Sequence, residues 1–445
     1  MKNSLTIITP LSSIKENTVK NEIPSSSSSP CLTSLLSPTS TTSPSSTNTL
    51  SPTFLGGNNT RPRRLSESVV MEHGQYNSFS LSQQKTASHS LPFIQIGLQH
   101  VKKEFLKYCQ EHPEECLGIS DMGCSQGSNS LPLINTILKY WINKWKIPNS
   151  IFIYHCDLPS NDFESLFSTL EENPQSYKHL YSGQVYGVAI GSSFYKQCLP
   201  NNSTLISFAS TSLHWLSKTP CFLKNSIIVH NYPFTVSKEE YEIWEKQAEE
   251  DWTTILLHRN RELKVGGLFL MNNSARKQEE KQEEERVSKM TEYMLEVAQE
   301  LFYPEEVEKF VLPLYRRTEK EHLQEGILEK TGFKVVFSEL KTLVNPLYEK
   351  YLFDHSKNIL LFVIDCIKFF RMMNVNIIYS ILDSTKRSEQ ERQDLMEKYF
   401  DHLHLKVLNA LVKVSTEEDK KEELIKQIVP PKVKLFLCLQ KIKTV

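Results

Sequence analysis

The chain has 445 residues, which is more than one typical domain of about 100 to 200 residues. A formal net charge of −1, with no basic stripe interleaved with aromatic residues, argues against a nucleic-acid-binding protein. The nine cysteines form no Cys-x-x-Cys pair and no Cys/His cluster, which argues against structural zinc and favours reduced thiols in the cytoplasm.

The first element in chain order, residues 1–70, is predicted to be a disordered extension. Residues 25–68 consist mainly of Ser, Thr, Pro and Asn, and such a segment cannot bury enough apolar surface to offset the entropy of ordering. The opening residues lack the continuous apolar core and cleavage site of a signal peptide. We therefore expect one folded domain over residues 71–445.

Short apolar runs alternate with longer helical patterns after the extension, which predicts an α/β domain with a mostly parallel sheet. A helix is predicted over residues 237–263, and helical segments over 287–330 and 359–411 are expected to cap the sheet. The longest apolar run, residues 358–370, is interrupted by charged residues, so we expect no membrane span. The predicted strands are residues 117–121, 151–157, 186–190, 204–209, 227–231, 267–272, 333–338 and 433–440.

The end of the first predicted strand carries the most informative pattern. Residues 119–130 read Ile-Ser-Asp-Met-Gly-Cys-Ser-Gln-Gly-Ser-Asn-Ser, a strand that ends at Asp121 and turns through Gly123 and Gly127 into a helix. Such a turn can hold a nucleotide cofactor, because the backbone approaches the ligand closely and helix N–H groups face it. Asp121 would repel a pyrophosphate but attract hydroxyl or ammonium groups, as in S-adenosylmethionine. Taken alone, the turn also fits an ordinary strand-to-helix connection.

Polar and aromatic residues follow the next three strands. Since ligands bind outside the carboxyl ends of the strands in such sheets, these residues are candidates for a site. Asp157 ends the second strand, where an acid commonly binds ribose hydroxyls, and Leu158 could pack on a purine. Ser193 and Phe194 follow the third strand, and a segment over residues 210–217 follows the fourth.

Four of these segments together resemble the SABATH methyltransferases, the salicylate, benzoate and theobromine type carboxyl and N-methyltransferases. Upstream, Tyr76, Ser80 and Gln83 resemble the Tyr-x-x-x-Ser-x-x-Gln motif of that family. The resemblance covers about residues 71–315 and is loose beyond them. Motifs in register are more specific than any one alone. The four segments are residues 121–129, 157–163, 191–195 and 210–217.

The resemblance implies a Rossmann-like class I methyltransferase sheet with a helical cap, and S-adenosyl-L-methionine as the methyl donor. It also implies a small-molecule acid substrate and a possible homodimer. The residues that it places at the cofactor are Tyr76, Asp121, Cys124, Asn129, Asp157, Leu158, Ser193 and Phe194.

For the acceptor, the resemblance implies Gln83, Thr211, His214 and Trp215, with Gln83 and the Trp215 indole donating to a carboxylate. A small acid with a pKa near ~4 is already ionised at neutral pH, so it needs alignment and no general base. We therefore expect positioning residues and no acid–base residue.

Two departures from the family pattern bear on the site. Thr211 stands where the family usually has an aromatic residue, which predicts a wider or more polar acceptor pocket on that side. Some relatives bind magnesium through an Asn and an Asp-x-Phe-Asn segment; the matching residues include Asn231 and Glu308, but Val311 offers no oxygen, so we expect no metal.

Three alternatives stay open at this point. Within the family, N-methylation of a heterocycle is separated from carboxyl methylation only by pocket shape. A nicotinamide-dependent oxidoreductase would share a glycine turn, but Gly-x-x-x-Gly is not its Gly-x-Gly-x-x-Gly pattern. A non-catalytic module that binds S-adenosylmethionine would need no acceptor donors such as Gln83 and Trp215.

Overall fold

The computed structural model describes residues 81–278, 288–354 and 356–445. The predicted disordered extension over residues 1–70 lies outside the described residues, and so does Tyr76.

One seven-stranded sheet organises the described residues, in the order β3-β2-β1-β4-β5-β7-β6. Strands β1 to β5 are parallel, whereas β7 runs antiparallel to both β5 and β6. The Rossmann-like sheet that the resemblance implied is confirmed. The first residues of β7 therefore lie at the edge where β1, β4 and β5 end. The strands are β1 (Leu117–Met122), β2 (Ile151–Asp157), β3 (Val185–Gly191), β4 (Thr204–Ser210), β5 (Leu263–Ser274), β6 (Phe333–Leu343) and β7 (Lys432–Lys441).

Helices flank the sheet and continue beyond its edge. They are α1 (Leu81–Glu111), α2 (Leu131–Leu138), α3 (Phe163–Glu172), α4 (Tyr177–Leu180), α5 (Lys238–Glu262), α6 (Lys289–Leu301), α7 (Pro304–Val307), α8 (Glu319–His322), α9 (Glu325–Thr331), α10 (Pro346–Phe353), α11 (Ile359–Ile381), α12 (Glu389–Lys413) and α13 (Glu418–Ile428). Among these described helices, none combines the length and the apolar character that crossing a bilayer requires.

The core has three main parts. Helices α1 and α2 cover one face of the sheet, and α5 covers the other with Trp252 against Phe269. The third part lies among α6, α11, α12 and α13, and it includes Trp215 from the segment after β4. Trp215 thus joins the sheet edge to a helical layer.

The strand predicted over residues 227–231 is wrong. This apolar run is buried, but it forms a loop that ends in a 3₁₀ turn at Val229–Asn231. The Ser226 hydroxyl accepts from the Ile228 N–H and the Asn231 amide, so a side chain replaces a neighbouring strand. Short apolar runs carry no information about which partner will satisfy their backbone.

The predicted helical segments are shorter than expected. The segment over residues 287–330 breaks after α6, because Tyr303 precedes Pro304 and is held extended. The segment over residues 359–411 breaks between α11 and α12, where Ser388 and Glu391 form a capping box that begins the second helix.

Candidate cofactor and acceptor site

The turn after β1 is shaped by two glycines with positive φ, Gly123 at 83° and Gly127 at 81°. A Cβ at Gly123 would lie 2.6 Å from Cβ of Ser212, and one at Gly127 would lie 2.5 Å from Cδ1 of Leu166. The Ser212 hydroxyl also donates to the Met122 carbonyl at 2.9 Å. The turn is therefore tight because the segment after β4 packs directly on it.

Asp157 at the end of β2 is held against this turn. Its Oδ2 accepts from the Ser125 N–H at 2.7 Å, and its Oδ1 accepts from the Leu158 N–H at 2.7 Å. Desolvation by the surrounding protein, opposed by these two hydrogen bonds, raises the pKa of Asp157 to about 6. Each oxygen keeps a lone pair for another donor, which suits ribose hydroxyls.

Asp121 is only 1% exposed and is held by a chain of buried polar groups. His155 Nδ1 lies 3.3 Å from Asp121 Oδ2, and His155 Nε2 lies 3.0 Å from the Tyr177 hydroxyl. Asp121 Oδ1 has no hydrogen-bond partner among the described residues. A buried carboxylate oxygen without a partner is costly, so it fits a cationic group such as the ammonium of S-adenosylmethionine.

The same neighbourhood holds the described group that could ligate a metal, in which ligand atoms of Asp121, Cys124 and His155 lie within 4.8 Å of one another. A metal would require the Cys124 thiolate. Burial, reinforced by the Asp157 and Asp121 carboxylates, raises the pKa of that thiol well above its ordinary value. The donor set therefore suits an organic cation better than a metal ion.

The loop after β3 carries Ser193 and Phe194, and Arg259 holds this loop by hydrogen bonds to its backbone. This buried guanidinium donates to the Phe194 carbonyl at 3.2 Å and to the Lys196 carbonyl at 3.1 Å, and it pairs with Glu262 at 2.7 Å. The loop also contacts β2, because the Ser192 N–H donates to the Asp157 carbonyl at 2.7 Å. Ser193 and Asp157 thus lie on neighbouring strand ends, as the parallel pairing of β2 and β3 requires.

Thr211 begins the segment after β4 in a strained conformation, with φ of 57°. Its N–H donates to the Asn272 carbonyl at 2.8 Å, and its hydroxyl donates to Asn272 Oδ1 at 3.1 Å. The Asn272 amide in turn donates to Ser90 of α1 at 2.8 Å. The Thr211 hydroxyl is therefore engaged by β5.

His214 and Trp215 are both buried. His214 Nδ1 lies 2.9 Å from Asn273 Oδ1, and burial, followed by the charge of Lys434, lowers the pKa of His214 to about 3. His214 is therefore neutral at physiological pH. The Trp215 carbonyl accepts from the Tyr195 hydroxyl at 2.5 Å, and the Trp215 indole N–H makes no hydrogen bond to the described residues.

Gln83 on α1 reaches the helical layer. Its side chain is buried, and its Nε2 lies 3.8 Å from the Met373 sulfur on α11. Its Oε1 has no hydrogen-bond partner within the described ranges. A thioether is a weak hydrogen-bond acceptor. The Gln83 amide can therefore donate to a carboxylate instead, with little loss of hydrogen-bond energy.

The structure brings most of the predicted residues to one edge of the sheet. Asp121, Cys124 and Asp157 surround the first turn, and half-buried Asn129 follows it just before α2. Leu158 and the loop with Ser193 and Phe194 border it. Thr211, His214 and Trp215 follow on the neighbouring strand end, and Gln83 meets the helical layer that contains Trp215.

Two contributors, His155 and Arg259, were missed at the sequence level, and Tyr195 was recognised only as part of the segment over residues 191–195. His155 could have been found, because it lies two residues before Asp157 on the same face of β2. Tyr195 follows Phe194 directly, but its hydrogen bond to Trp215 depends on the tertiary arrangement. Arg259 carries no local signal, since it lies on a long charged helix.

The strand order, the glycine turn and the two acids at the ends of β1 and β2 fit a methyltransferase that uses S-adenosylmethionine, with the ligand outside the carboxyl ends of the strands. Residues 66–427 match a family described as SAM dependent carboxyl methyltransferase, and the chain belongs to that family. The predicted family, cofactor and enzyme class are confirmed. The chain is thus an S-adenosylmethionine-dependent methyltransferase, and membership of this family argues against the nicotinamide oxidoreductase and the non-catalytic module.

Individual relatives are distant. The chain is 28% identical over 278 residues to benzoic acid/salicylic acid carboxyl methyltransferases 1 to 3 of Petunia hybrida, a match that covers 58% of this chain and 72% of each relative. It is 32% identical over 169 residues to the farnesoic acid carboxyl-O-methyltransferase of Arabidopsis thaliana, covering 36% of this chain and 46% of the relative.

The fold is similar to that of a loganic acid methyltransferase solved with SAH. The TM-score is 0.62 at 20% identity, and the match covers 84% of this chain and 99% of the other.

Proposed function

We propose that the enzyme methylates a carboxylate of a small organic acid held between Gln83 and Trp215. The observation that carries this proposal is a pair of neutral donors without strong acceptors of their own. Among the described residues, the Gln83 amide N–H donates to the Met373 sulfur, and the Trp215 indole N–H makes no hydrogen bond. Gln83 contacts α11, and Trp215 packs in the helical core to which α11 belongs.

The cofactor would lie over the turn after β1. Asp157 would accept from the ribose hydroxyls, and Asp121 would accept from the ammonium group through its unpaired Oδ1. Leu158 and Phe194 would border the adenine, with Ser193, Cys124 and Asn129 beside it. Tyr76 would complete this set, as the family motif implies.

When bound, S-adenosylmethionine supplies a methyl group on a positively charged sulfur. The acceptor carboxylate forms the new O–C bond while the S–C bond breaks, and the electron pair of that bond stays on sulfur as a neutral thioether. The chain has no proton to move, because the acid is already ionised. Its residues hold the attacking carboxylate oxygen in line with the S–CH₃ bond. In favourable systems, such positioning lowers the activation barrier by ~7 to 11 kcal/mol.

The neutral state of His214 supports the same reading. A protonated imidazole beside the carboxylate would draw charge from the attacking oxygen, whereas the low pKa of His214, about 3, keeps the ring uncharged. The ring can then orient the acceptor without weakening it as a nucleophile.

The surroundings of the site complete the proposal. Helices α6, α11 and α12 would form a cap that excludes water from the acceptor. We further propose that the enzyme acts in the cytoplasm on a free small acid, independent of nucleic acid or membrane, and as a homodimer.

The test is replacement of Trp215 by Phe, measured with radiolabelled methyl donor and a panel of small acids. We expect kcat/KM for the acid to fall at least tenfold while the Kd for S-adenosylhomocysteine changes less than twofold. Trp145→Phe is the matched control, because this half-buried indole packs against α1 away from the site. Equal loss of cofactor affinity and turnover would show that Trp215 is structural.

The stability of the reaction product in base distinguishes carboxylate methylation from the family alternative, N-methylation of a heterocycle. A methyl ester releases labelled methanol in mild base, whereas an N-methyl group does not. Base-stable label on the preferred acceptor would overturn the carboxylate proposal.

A further inference from the structure

Two lysines, Lys432 and Lys434, stand at the start of β7. Because β7 runs antiparallel to β5, its start lies at the edge where the parallel strands end. Lys434 pairs in register with Ser274, the last residue of β5, and its Nζ donates to the Ser274 hydroxyl at 2.9 Å. The next pair along the ladder, Leu435 with Asn273, includes the residue that holds His214.

These lysines lie on the face of the sheet that carries α1. Alternate residues of β7 share a face, and Phe436 and Cys438, two and four residues after Lys434, pack against α1 and its core. Gln83 is part of α1. The lysines and the proposed carboxylate donor therefore share one side of the sheet.

Contacts with α11 bring Lys432 and Gln83 close together. Lys432 Nζ lies 4.8 Å from the centre of the Phe369 ring, and Gln83 Nε2 lies 3.8 Å from the Met373 sulfur. Phe369 and Met373 are four residues apart, so they follow one another on the same face of α11 with a rise of about 6 Å. A group bound at Lys432 would lie roughly one helical turn from a group bound at Gln83.

Neither lysine is neutralised by a carboxylate of the described residues. Lys434 is 1% exposed and has a hydroxyl as its partner, and Lys432 has an aromatic face. Burial lowers the pKa of Lys432 to about 8, and burial with repulsion from Lys432 lowers the pKa of Lys434 well below its ordinary value. Arg316 repels both lysines, and Lys341, which pairs with Lys434 in the ladder, is bound by Glu339.

Burial and mutual repulsion disfavour the charged forms of these two lysines, and an anionic group bound beside them would favour those forms again. A small acid with a single carboxylate, held by Gln83 and Trp215, would leave this pair without a counter-charge. We propose that Lys432 and Lys434 form a subsite for a second anionic group, so that the preferred acceptor is a dianionic acid, dicarboxylic or phosphorylated. This inference rests on the proposed function, since it takes Gln83 and Trp215 as the site of the methylated carboxylate.

The test compares acceptors of matched skeleton on the full-length enzyme: hexanoate, adipate, and 6-phosphooxyhexanoate. We expect kcat/KM to be at least tenfold higher for one of the two dianions than for hexanoate, and the two dianions distinguish a carboxylate from a phosphate as the second group. A shorter pair, butanoate and succinate, tests the spacing. An enzyme that prefers the monoanion in every pair would overturn the proposal.

Lys432→Met and Lys434→Met should each lower the dianion-to-monoanion ratio of kcat/KM at least tenfold. Lys426→Met, a partly exposed lysine of α13 paired with Glu422, is the matched control and should leave the ratio unchanged. If Lys434→Met does not fold, the half-buried Lys432 still decides the question. An unchanged ratio in a folded Lys432→Met variant would contradict the subsite.

Failure of this inference and failure of the proposed function have different signatures. If monoanions are methylated to base-labile esters with no preference for dianions, the lysine subsite alone is wrong. If the label is base-stable, or if no acid accepts methyl while S-adenosylhomocysteine still binds, the proposed function itself is wrong.

Discussion

Tyr195 donates a hydrogen bond from its hydroxyl to the backbone carbonyl of Trp215 at 2.5 Å. It connects the loop after β3, which carries cofactor candidates, to the segment after β4, which carries acceptor candidates. The Arg259 guanidinium holds the same loop by donating to the Phe194 carbonyl. Tyr195 and Arg259 therefore fix the cofactor candidates and the acceptor candidates relative to one another. The proposed function does not place either side chain in contact with a ligand.

Tyr195→Phe should test this connection. The Trp215 carbonyl would lose a buried donor, which costs ~1 to 2 kcal/mol, so kcat/KM for the acid should fall about tenfold. The Kd for S-adenosylhomocysteine should change little, and the melting temperature should fall by about 2 to 4 °C per kcal/mol lost. Tyr186→Phe is the matched control, because this exposed hydroxyl contacts only the nearby Gly183 carbonyl. A normal kcat/KM in Tyr195→Phe would show that the bond does not position Trp215.

Asp157 should make cofactor binding depend on pH. Its pKa is raised to about 6, so the free protein binds a proton there as the pH falls through 6, whereas ribose hydroxyls favour the ionised form. The affinity for S-adenosylhomocysteine, measured by calorimetry, should therefore decrease below about pH 6. The raised pKa also means that ionisation of Asp157 destabilises the free protein as the pH rises from about 4 to 6.

Asp157→Asn should bind more weakly at pH 7.5 and lose this pH dependence. Glu164→Gln, an exposed change in the first turn of α3, should keep it. A wild-type affinity that stays constant from pH 7.5 to pH 5 would contradict the role of Asp157.

Asp121→Asn should weaken binding of S-adenosylhomocysteine by about tenfold to a hundredfold, because a hydrogen bond to a charged group contributes ~1.5 to 3 kcal/mol. Methylthioadenosine lacks the amino acid part and should bind the variant and the wild type equally. Calorimetry with both ligands checks this. If both ligands lose affinity to the same extent, Asp121 supports the turn and does not bind the ammonium.

Gly123→Ala should lower the free energy of unfolding by more than backbone strain alone explains, because the new methyl group would also clash with Ser212. Gly123 and Gly183 have the same φ of 83°, but a Cβ meets Ser212 at 2.6 Å in the first case and nothing within 4 Å in the second. Gly183→Ala should lower the free energy of unfolding by about 1 kcal/mol, and Gly123→Ala by about 3 kcal/mol. Denaturant unfolding measures both.

Turnover and S-adenosylhomocysteine binding should fall in Gly123→Ala and persist in Gly183→Ala. Equal effects of the two substitutions would show that the packing of the segment after β4 on the first turn is unimportant.

The sequence was informative wherever a function needs a residue at a strand end. Asp121, Asp157 and the two glycines could be identified because a strand that ends at an acid and turns through glycine is a local pattern. Asp162, which follows in the same segment, caps the next helix, because its carboxylate accepts from the Ser165 N–H at 2.9 Å.

The sequence was misleading wherever a partner comes from far along the chain. The run over residues 227–231 has strand composition, but the Ile227 carbonyl accepts from the N–H of Leu312, which is distant in sequence, and no strand pairs with the run among the described residues. The expectation of a wider or more polar pocket beside Thr211 stays a prediction, and it also depends on such a partner. Its hydroxyl donates to Asn272, a contact that no local pattern indicates.

By itself, the sequence determined most of the strands, the methyl donor and the two acids proposed to bind it, because these depend on patterns within short segments. Only the tertiary structure showed which groups lie near Gln83 and Trp215, the residues proposed to hold the acceptor. Gln83 and Lys432 are far apart along the chain, yet both contact one face of α11. His155 reaches Asp121 only because β1 and β2 are paired in register. The cofactor half of the site is encoded locally, whereas the acceptor half exists only after folding, because burial and charge there come from elements distant in sequence.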